Sequence, residues 1–363
     1  MADPRQPATP TDGVPRPAGR QKVVLYNPRA VFYTMPLALL AIGSELDPDV
    51  YEVVIVDGRL DPDAERTVIA HLRDAVCLGV TVLTGAPISD ALAVSRAAKR
   101  AHPHVPVVWG GWHPSMFGRE CLAEPAVDVT VQGQGEATFR EIVERLVAGR
   151  ALEGCEGCTF RRPDGAIVEN PRRELRGVES FRAHDYGLIP VERYFALKGK
   201  RQLDFISSQG CHFRCAFCSD PFVYGRKWVG LDPTRMGLRL HELWLRYGFD
   251  DVNFQDETFF TRRDRVHAFA EELLASGTRI TWAATMRADQ GVRLPEEVWR
   301  RCRESGLRRL LVGVESGSDE MLKRIRKDTT IDKVLQTAET MARRGIGGHS
   351  PFSVGVPGEQ VVC

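Results

Sequence analysis

Short apolar segments alternate with helix-like segments twice along the chain, and this alternation constrains the fold more than any other feature. In the first series, the apolar segments lie at 22–27, 51–57, 77–83, 105–111 and 127–133. They are rich in β-branched residues and continuously apolar, which is typical of parallel strands buried on both faces. The segments between them carry apolar residues at helical spacing. The first part of the chain is therefore predicted to be an α/β domain with a doubly wound, Rossmann-like parallel sheet.

The second series begins at Leu203. Its predicted strands lie at 203–208, 250–256, 279–286, 308–316 and 348–358, with helical segments between them. Five βα-type strands at this spacing predict a partial (β/α) barrel, which would place its chemistry at the C-terminal ends of the strands. The expected division is a disordered Pro-rich tail at 1–20, the first domain at 21–150, a linker with small β elements at 151–200, and the barrel at 201–363.

Composition excludes several classes of protein. Hydrophobic residues make up 43% of the 363 residues and charged residues 27%, as in ordinary globular domains. The near balance of 49 Lys and Arg against 48 Asp and Glu argues against a nucleic-acid partner. Apolar runs are too short for a membrane span, and the N-terminus lacks an apolar signal core. With nine cysteines, the expected setting is the reducing cytoplasm, where thiols serve as metal ligands or reactive groups.

Three cysteines lie within eight positions of the segment SSQGCHFRCAFCSD, which directly follows the first strand of the barrel series. They are Cys211, Cys215 and Cys218. A structural zinc site needs four protein ligands, usually in two close pairs. Three thiolates instead leave one metal position open, as in a 4Fe–4S cluster with one iron free of protein ligands. These three residues are therefore the predicted metal ligands.

This Cys-x-x-x-Cys-x-Phe-Cys motif at the start of a (β/α) barrel resembles the radical S-adenosylmethionine (SAM) enzymes. The resemblance covers residues 203–358. It implies a 4Fe–4S cluster whose open iron binds SAM, and reductive cleavage of SAM to a 5′-deoxyadenosyl radical. It also implies a small-molecule substrate and an electron donor such as flavodoxin or ferredoxin.

The same resemblance implies contacts with SAM at the ends of the predicted strands. The residues concerned are Phe217 and Gly355 near the adenine, Asp256 or Glu257 at the amino group, and Glu315 with Ser316 at the ribose and carboxylate. For the two acids after the second strand, the alternative is a solvated loop acid. Two interpretations remain for Arg287, which are a contact with the SAM carboxylate and an ordinary position on the surface.

In the first domain, the third strand ends with Thr-Val-Leu at 81–83 and the fourth ends with Gly-Gly at 110–111. This pair resembles the Ser/Thr-x-Leu and Gly-Gly motifs of cobalamin-binding Rossmann-like domains. In that family, small residues at both strand ends let the backbone approach the nucleotide tail of the corrinoid. The implied cobalamin-binding residues are Thr81, Leu83, Thr84, Gly110, Gly111, His113 and Gly133.

One departure concerns the loop after the first strand. Cobalamin domains with a histidine ligand below the cobalt carry that histidine in this loop, whereas residues 27–36 here contain none. Base-off cobalamin without a histidine ligand is therefore expected, and His113 is interpreted as a residue that shapes its loop. The pair Cys155 and Cys158 has no second pair nearby, and we interpret it as incidental rather than as a zinc or redox site.

Together these features predict a cobalamin-dependent radical SAM enzyme that performs methyl transfer or, as in the anaerobic magnesium-protoporphyrin monomethyl ester cyclases, cyclisation. One alternative is a radical SAM enzyme whose front domain binds nothing. The other is a truncated, non-catalytic protein that binds cobalamin or an Fe–S cluster. Because the sequence ends just after the fifth strand, the barrel is expected to be C-terminally incomplete. No catalytic residue, substrate or oligomeric state is predicted.

Overall fold

The computed structural model describes residues 19–359, which form two compact units. The front unit extends to Arg176 and also contains 180–199. The barrel unit begins at Lys200 and also contains 177–179. Most of the tail predicted at 1–20 lies outside the described residues.

A single sheet of seven strands organises the front unit. Its strands are β1 (Gln21–Asn27), β2 (Tyr51–Asp57), β3 (Ala75–Thr81), β4 (Val107–Gly110), β5 (Val129–Val131), β6 (Cys158–Arg161) and β7 (Ile167–Glu169). They lie side by side in the order β2-β1-β3-β4-β5-β6-β7. The first five are parallel, as predicted, and the doubly wound fold is confirmed.

Helices cover both faces of this sheet. They are α1 (Leu37–Ser44), α2 (Ala64–His71), α3 (Pro87–Ala101), α4 (Trp112–Met116), α5 (Gly118–Cys121), α6 (Gly135–Val147) and α7 (Val191–Lys198). Alternate residues of β1 point into two separate cores. Val24 packs with Val68 and Val94 of α2 and α3, whereas Val23 lies in the core formed with α1 and α6. Burial on both faces explains why the strand segments are continuously apolar.

Most of the segment at 151–200, which we predicted to be a linker with small β elements, groups with the front unit, whereas 177–179 and Lys200 group with the barrel unit. Strands β6 and β7 form an antiparallel hairpin that extends the sheet from β5. The buried Tyr194 of α7 donates a hydrogen bond to Asp57 at the end of β2. Because these contacts attach the segment to the sheet, the division between the units lies near residue 200.

The barrel unit contains a parallel sheet and a small hairpin. Its strands are β8 (Gln202–Phe205), β9 (Ser208–Gly210), β10 (Trp228–Gly230), β11 (Asp251–Phe254), β12 (Thr281–Met286), β13 (Leu307–Val312) and β14 (Gly347–His349). Strands β8, β11, β12, β13 and β14 pair in chain order and in parallel, as a partial barrel requires. The antiparallel pair of β9 and β10 stands apart from this sheet.

Two predicted strands of the barrel differ from the observed ones. The strand predicted at 203–208 is divided into β8 and β9. The strand predicted at 348–358 is reduced to the three residues of β14 and a bridge between Phe352 and Glu315. Pro351 explains the second difference, because proline has no N–H to donate to a neighbouring strand.

The helices of the barrel unit alternate with its strands. They are α8 (Asp220–Val223), α9 (Pro233–Tyr247), α10 (Arg263–Ser276), α11 (Ala288–Arg293), α12 (Glu296–Glu304), α13 (Asp319–Arg324) and α14 (Ile331–Arg343). Across residues 19–359, we find no helix with the length and apolar character needed to cross a membrane.

Candidate cofactor sites

The three-cysteine segment forms a loop between β9 and α8, beyond the C-terminal end of β8. Gly210 turns the chain into this loop with a φ of +84°. A Cβ at this position would lie 2.3 Å from the carbonyl oxygen of Lys227, so only glycine fits here. The loop therefore starts at a fixed point on the edge where a partial barrel places its chemistry.

The thiols of the loop differ in their surroundings. Cys215 is buried, whereas Cys211 and Cys218 are half-buried. Burial raises the pKa of the Cys211 thiol to about 11. Burial and the nearby Asp220 carboxylate raise the pKa of Cys218 to about 12. Iron binds the thiolate, so cluster assembly would displace these protons.

The donor set fits a cluster better than one metal ion. Within the described part of the chain, no three Cys, His or acidic side chains are grouped as ligands of a single ion would be. In a 4Fe–4S cluster, by contrast, each thiolate binds a different iron and the ligands can stand apart. Three thiols on one loop therefore suit a cluster that leaves one iron for an external ligand.

Arg287 follows β12 and reaches the cysteine loop. Its side chain is only 7% exposed, so an ordinary surface position is wrong for this residue. Its Nη1 donates to Cys215 Sγ at 3.4 Å, and its Nε donates to Asp289 Oδ1 at 2.9 Å. The guanidinium carbon lies 3.7 Å from the centroid of the Phe213 ring. These partners hold a buried cation against one of the three predicted cluster ligands.

The two acids after β11 have different environments. Asp256 is buried and accepts hydrogen bonds from the backbone N–H and hydroxyl of Ser207 and from the hydroxyl of Ser208, at 2.5 to 2.8 Å. Glu257 Oε2 accepts from the N–H of Gly210 at 3.2 Å, at the entrance to the cysteine loop. Burial, with Asp220, raises the pKa of Glu257 to about 8. Because the serines engage Asp256, Glu257 is the better candidate for the amino group of SAM.

Glu315 lies just beyond β13 in a strained conformation. Its φ of +69° is in the left-handed region, which is uncommon for residues other than glycine and is often found at functional sites. The carboxylate accepts hydrogen bonds from Lys327 Nζ at 2.7 Å and from Ser353 Oγ at 3.1 Å. Next to it, Ser316 Oγ accepts the N–H of Ser318 at 3.2 Å. Contact between Glu315 or Ser316 and SAM stays a prediction.

The two residues assigned to the adenine are both accessible. The Phe217 side chain is 47% exposed, and Lys327 Nζ lies 5.6 Å from its ring centroid. Gly355 has a φ of +82°, and its N–H donates to Glu359 Oε2 at 2.5 Å. A Cβ on Gly355 would meet nothing within 4 Å. Both assignments stay predictions.

In the front unit, the ends of β3 and β4 lie side by side. Thr81 pairs with Gly110, and the N–H of Val82 donates to the Gly110 carbonyl at 2.7 Å. Gly111 has a φ of +96°, and a Cβ there would lie 3.1 Å from Thr81 Oγ1 and from the backbone of Val82. Gly110 has space beside it, since its Cβ would meet only Val131 Cβ, at 3.8 Å. The edge thus has one glycine required by the backbone and one that leaves room for a ligand.

The remaining residues assigned to cobalamin surround this edge. Thr84 Oγ1 lies 3.3 Å from His113 Nδ1, and the His113 N–H donates to the Val82 carbonyl at 3.0 Å. Burial lowers the pKa of His113. The buried Ser115 donates to the Gly111 carbonyl at 2.7 Å and accepts the N–H of Gly133 at 3.0 Å. These bonds join the loops after β3, β4 and β5, which agrees with a loop-shaping role for His113.

Large apolar side chains are exposed in the loops at the same edge. They are Val31, Phe32, Tyr33, Leu83 and Phe117, with exposed fractions from 41% to 82%. Apolar groups at the mouth of a small-molecule site are the usual lining for a large ligand. The residues present therefore fit a bulky planar ligand such as a corrinoid at the C-terminal edge of the sheet, where α/β sheets bind ligands.

Cys155 and Cys158 lie in the apolar core of the front unit, where Cys158 pairs with Val131, the last residue of β5. Both are fully buried. The Cys158 thiol donates to the Cys155 carbonyl at 3.2 Å, and Asn170 Nδ2 donates to Cys158 Sγ at 3.4 Å. Buried, hydrogen-bonded thiols of this kind serve packing.

Sequence reasoning did not find Lys327 or Ser115, and it left the role of Arg287 open. Lys327 is buried against Glu315, and its carbonyl accepts a hydrogen bond from Arg287. The sequence around Lys327, in the loop after α13, carries no local signal of its contact with Glu315, which lies 12 positions earlier. Ser115 could have been noticed as a small polar residue four positions after Gly111. Its hydroxyl can reach the Gly111 carbonyl at this spacing, as the structure shows.

The folds and the two sites define a class of protein that joins a corrinoid-type Rossmann-like domain to an iron–sulfur barrel. Models of known families agree. Residues 205–361 match the radical SAM superfamily, and residues 24–143 match the B12 binding domain. The chain belongs to the cobalamin-dependent radical SAM family, whose cofactors are a 4Fe–4S cluster, SAM and cobalamin.

Curated relatives cover much of the chain. An uncharacterised methyltransferase from Pyrococcus horikoshii is 31% identical over 338 residues, which are 91% of this chain and 72% of the relative. The anaerobic magnesium-protoporphyrin IX monomethyl ester cyclase from Synechocystis is 28% identical over 80% of this chain and 59% of its own length. The chain thus spans less than two thirds of the cyclase.

Solved structures share the architecture. The TsrM radical SAM methyltransferase from Kitasatospora setae has a TM-score of 0.80 and 19% identity, covering 94% of this chain and 69% of its own. The cobalamin-dependent radical SAM enzyme OxsB has a TM-score of 0.79 and 21% identity, covering 92% of this chain and 49% of its own. At these identities the likeness shows the fold.

Proposed function

We propose that this chain binds cobalamin and an iron–sulfur cluster and acts in the transfer of a methyl group to an unactivated carbon of a small organic substrate. The observation that carries the proposal is the loop with Cys211, Cys215 and Cys218 at the edge of a parallel half-barrel. The methyltransferase name of the Pyrococcus horikoshii relative favours methyl transfer as the outcome. Because the chain covers 72% of that relative, the activity of the complete protein is part of the proposal.

The cofactors would supply the reactive chemistry, with the cluster providing the electron that cleaves SAM and cobalamin carrying the methyl group. The protein would hold and orient them. The three thiols would bind the cluster, and Glu257 would accept hydrogen bonds from the SAM amino group. In the front unit, Gly110 would let the sheet edge approach the corrinoid. Flavodoxin or ferredoxin would donate the electron, and the cytoplasm would supply the reducing setting.

Cyclisation is the second candidate, favoured by the cyclase from Synechocystis at 28% identity and by that from Rubrivivax gelatinosus at 26%. The two reactions differ in what happens to SAM. Methyl transfer consumes one SAM as methyl donor and cleaves another, so it yields S-adenosylhomocysteine together with 5′-deoxyadenosine. Cyclisation yields 5′-deoxyadenosine without S-adenosylhomocysteine.

The protein reconstituted with iron and sulfide and loaded with hydroxocobalamin, which would accept the methyl group of SAM when reduced, is expected to form both products under anaerobic conditions with dithionite. Chromatography with mass detection measures them, and SAM carrying a deuterated methyl group identifies the origin of any methylated product. Formation of 5′-deoxyadenosine alone would replace methyl transfer by cyclisation. Formation of neither product by cluster-loaded protein would contradict the proposed function.

A separate prediction concerns the ligand below cobalt. Residues 27–36 contain no histidine. His113 contacts the loop after β3, through its backbone N–H to the Val82 carbonyl and through Nδ1 to Thr84 Oγ1. We therefore expect base-off Co(II) cobalamin, whose electron paramagnetic resonance lines show no triplet splitting from a nitrogen below the ring.

The His113→Ala variant provides the control for this spectrum. Triplets that appear in the parent and vanish in the variant would make His113 the ligand and would contradict its loop-shaping role. Triplets that survive the substitution would show that cobalamin binds with its own base attached to cobalt. In that case, the prediction that the nucleotide tail of the corrinoid binds at Thr81 and Gly110 would be wrong.

A further inference from the structure

The cysteine loop is held in place by a second loop, residues 325–328, which follows α13. The N–H of Ala216 donates to the Ile325 carbonyl at 2.8 Å. Arg214 makes two hydrogen bonds to Asp328, at 2.9 and 3.0 Å. Residues Arg326 and Asp328 both have positive φ, at 54° and 53°. The second loop thus follows the shape of the first at the cost of two unusual backbone conformations.

Arg287 ties both loops to the end of β12. It donates through Nη2 to the carbonyl of Lys327 in the second loop and through Nη1 to Cys215 Sγ in the first. Asp289, which is 3% exposed, accepts from its Nε. A planar guanidinium can make these three bonds at once, whereas a lysine ammonium cannot match the fork geometry.

Two other cationic side chains near the cysteine loop bind carboxylates instead of a thiol. The Lys327 ammonium bonds the Glu315 carboxylate at 2.7 Å, and the Arg214 guanidinium bonds Asp328 at the surface. Lys327 is as buried as Arg287, whereas Arg214 is exposed. Arg287 differs from both because one of its N–H groups contacts a predicted cluster ligand. In a low-dielectric setting such a contact is stronger than at the surface.

The expected direction of the effect follows from charge. Reduction adds one negative charge to an iron–sulfur cluster, and some of that charge resides on its thiolate ligands. An N–H donor and a positive charge at a ligand sulfur stabilise the reduced state more than the oxidised state. Hydrogen bonds to cluster sulfurs are among the factors that set the reduction potential.

We infer that Arg287 is a positioning residue that raises the reduction potential of the cluster through its contact with Cys215 Sγ. This inference rests on the proposed function, because it requires that the three thiols bind a cluster. A higher reduction potential makes electron transfer from the donor to the cluster more favourable. Arg287 itself makes no bond to SAM or to the substrate. It also keeps Cys215 oriented, since the same guanidinium fixes Phe213 and Lys327.

The test compares three variants of the reconstituted chain, Arg287→Gln, Arg287→Lys and Arg214→Gln. Arg214→Gln is the matched control, because it removes an arginine that joins the same two loops without touching a thiol. Iron content and the visible spectrum report cluster binding. A mediated electrochemical titration followed by electron paramagnetic resonance reports the midpoint potential.

Arg287→Gln is expected to weaken the cluster's affinity for an electron about tenfold, a shift of ~59 mV to more negative potential for a one-electron couple. Arg287→Lys should fall between this variant and the parent, because it keeps the charge and loses the fork. Arg214→Gln should keep the parent potential.

Several results would overturn the inference. One is an unchanged potential in Arg287→Gln with full iron content, and another is an equal shift in Arg214→Gln. If Arg287→Gln binds no cluster, Arg287→Lys decides, and a potential equal to that of the parent rejects the contact. Loss of the cluster from both Arg287 variants would assign a purely structural role. Failure of the parent chain to bind a cluster would contradict the proposed function instead.

Discussion

Alanine at Cys211, Cys215 or Cys218 is expected to abolish the iron–sulfur chromophore in each single variant. The parent, reconstituted with iron and sulfide without oxygen, should hold about four iron atoms per chain. Each thiolate would bind a different iron, so no neighbouring group can replace a missing one at the same position. Colorimetric iron and sulfide analysis, with the visible spectrum, measures the loss.

Two other cysteines provide controls for this experiment. Cys302→Ala removes a buried thiol of α12 in the same unit, and Cys155→Ala removes one in the core of the front unit. Both should retain the parent's iron content, although each leaves a small cavity that costs about 1 kcal/mol of stability. The assignment would be contradicted if all three loop variants kept the cluster, or if Cys302→Ala lost it as completely.

Gly110→Leu is expected to reduce bound corrinoid at least tenfold while leaving the fold intact. Gly110 has an ordinary φ, and a Cβ there would lie 3.8 Å from Val131 Cβ, so the backbone and its neighbours accept a Cβ at this position. The leucine would instead occupy the space that we assign to the corrinoid. A tenfold loss corresponds to ~1.4 kcal/mol of binding free energy, which is modest for a steric clash. Corrinoid content is read from the absorption spectrum after hydroxocobalamin loading and gel filtration.

Gly111→Val should also expel the corrinoid, because the valine would both occupy ligand space and strain the protein backbone. Its φ of +96° and the 3.1 Å contacts of a Cβ with Thr81 and Val82 strain the protein itself, which costs about 1–3 kcal/mol.

Ala101→Leu is the matched control for Gly110→Leu. It adds a similar volume at the exposed end of α3, which returns the chain to the opposite edge of the sheet. Equal corrinoid content in Gly110→Leu and the parent would favour a front domain that binds nothing.

The strands of the front sheet could be predicted from the sequence because burial on both faces leaves a local signal. Val23 and Val24 point into opposite cores, so neither position tolerates a polar residue. The end of the barrel sheet was less predictable. There Pro351 interrupts the pairing and leaves three exposed residues in β14, so the segment lacks the burial that marks the strands of the front sheet.

The cysteine loop could be predicted because three ligands close in sequence form a local pattern. Arg287 and Lys327 could not be assigned in the same way. Arg287 is buried against Cys215, which lies more than 50 positions away in the sequence. Lys327 is buried by a turn of the backbone between Arg326 and Asp328, which both have positive φ. Neighbouring acids pose a similar difficulty. Asp256 and Glu257 are equivalent by position, and only the contacts with Ser207 and Ser208 distinguish them.

Formation of 5′-deoxyadenosine tests most directly whether the three thiols hold a cluster able to cleave SAM. Reconstituted protein, incubated anaerobically with SAM and dithionite, is expected to produce 5′-deoxyadenosine in proportion to its cluster content. The Cys215→Ala variant should produce none. If the parent held about four iron atoms per chain and formed no more 5′-deoxyadenosine than Cys215→Ala, the role of the three thiols in SAM cleavage would be contradicted.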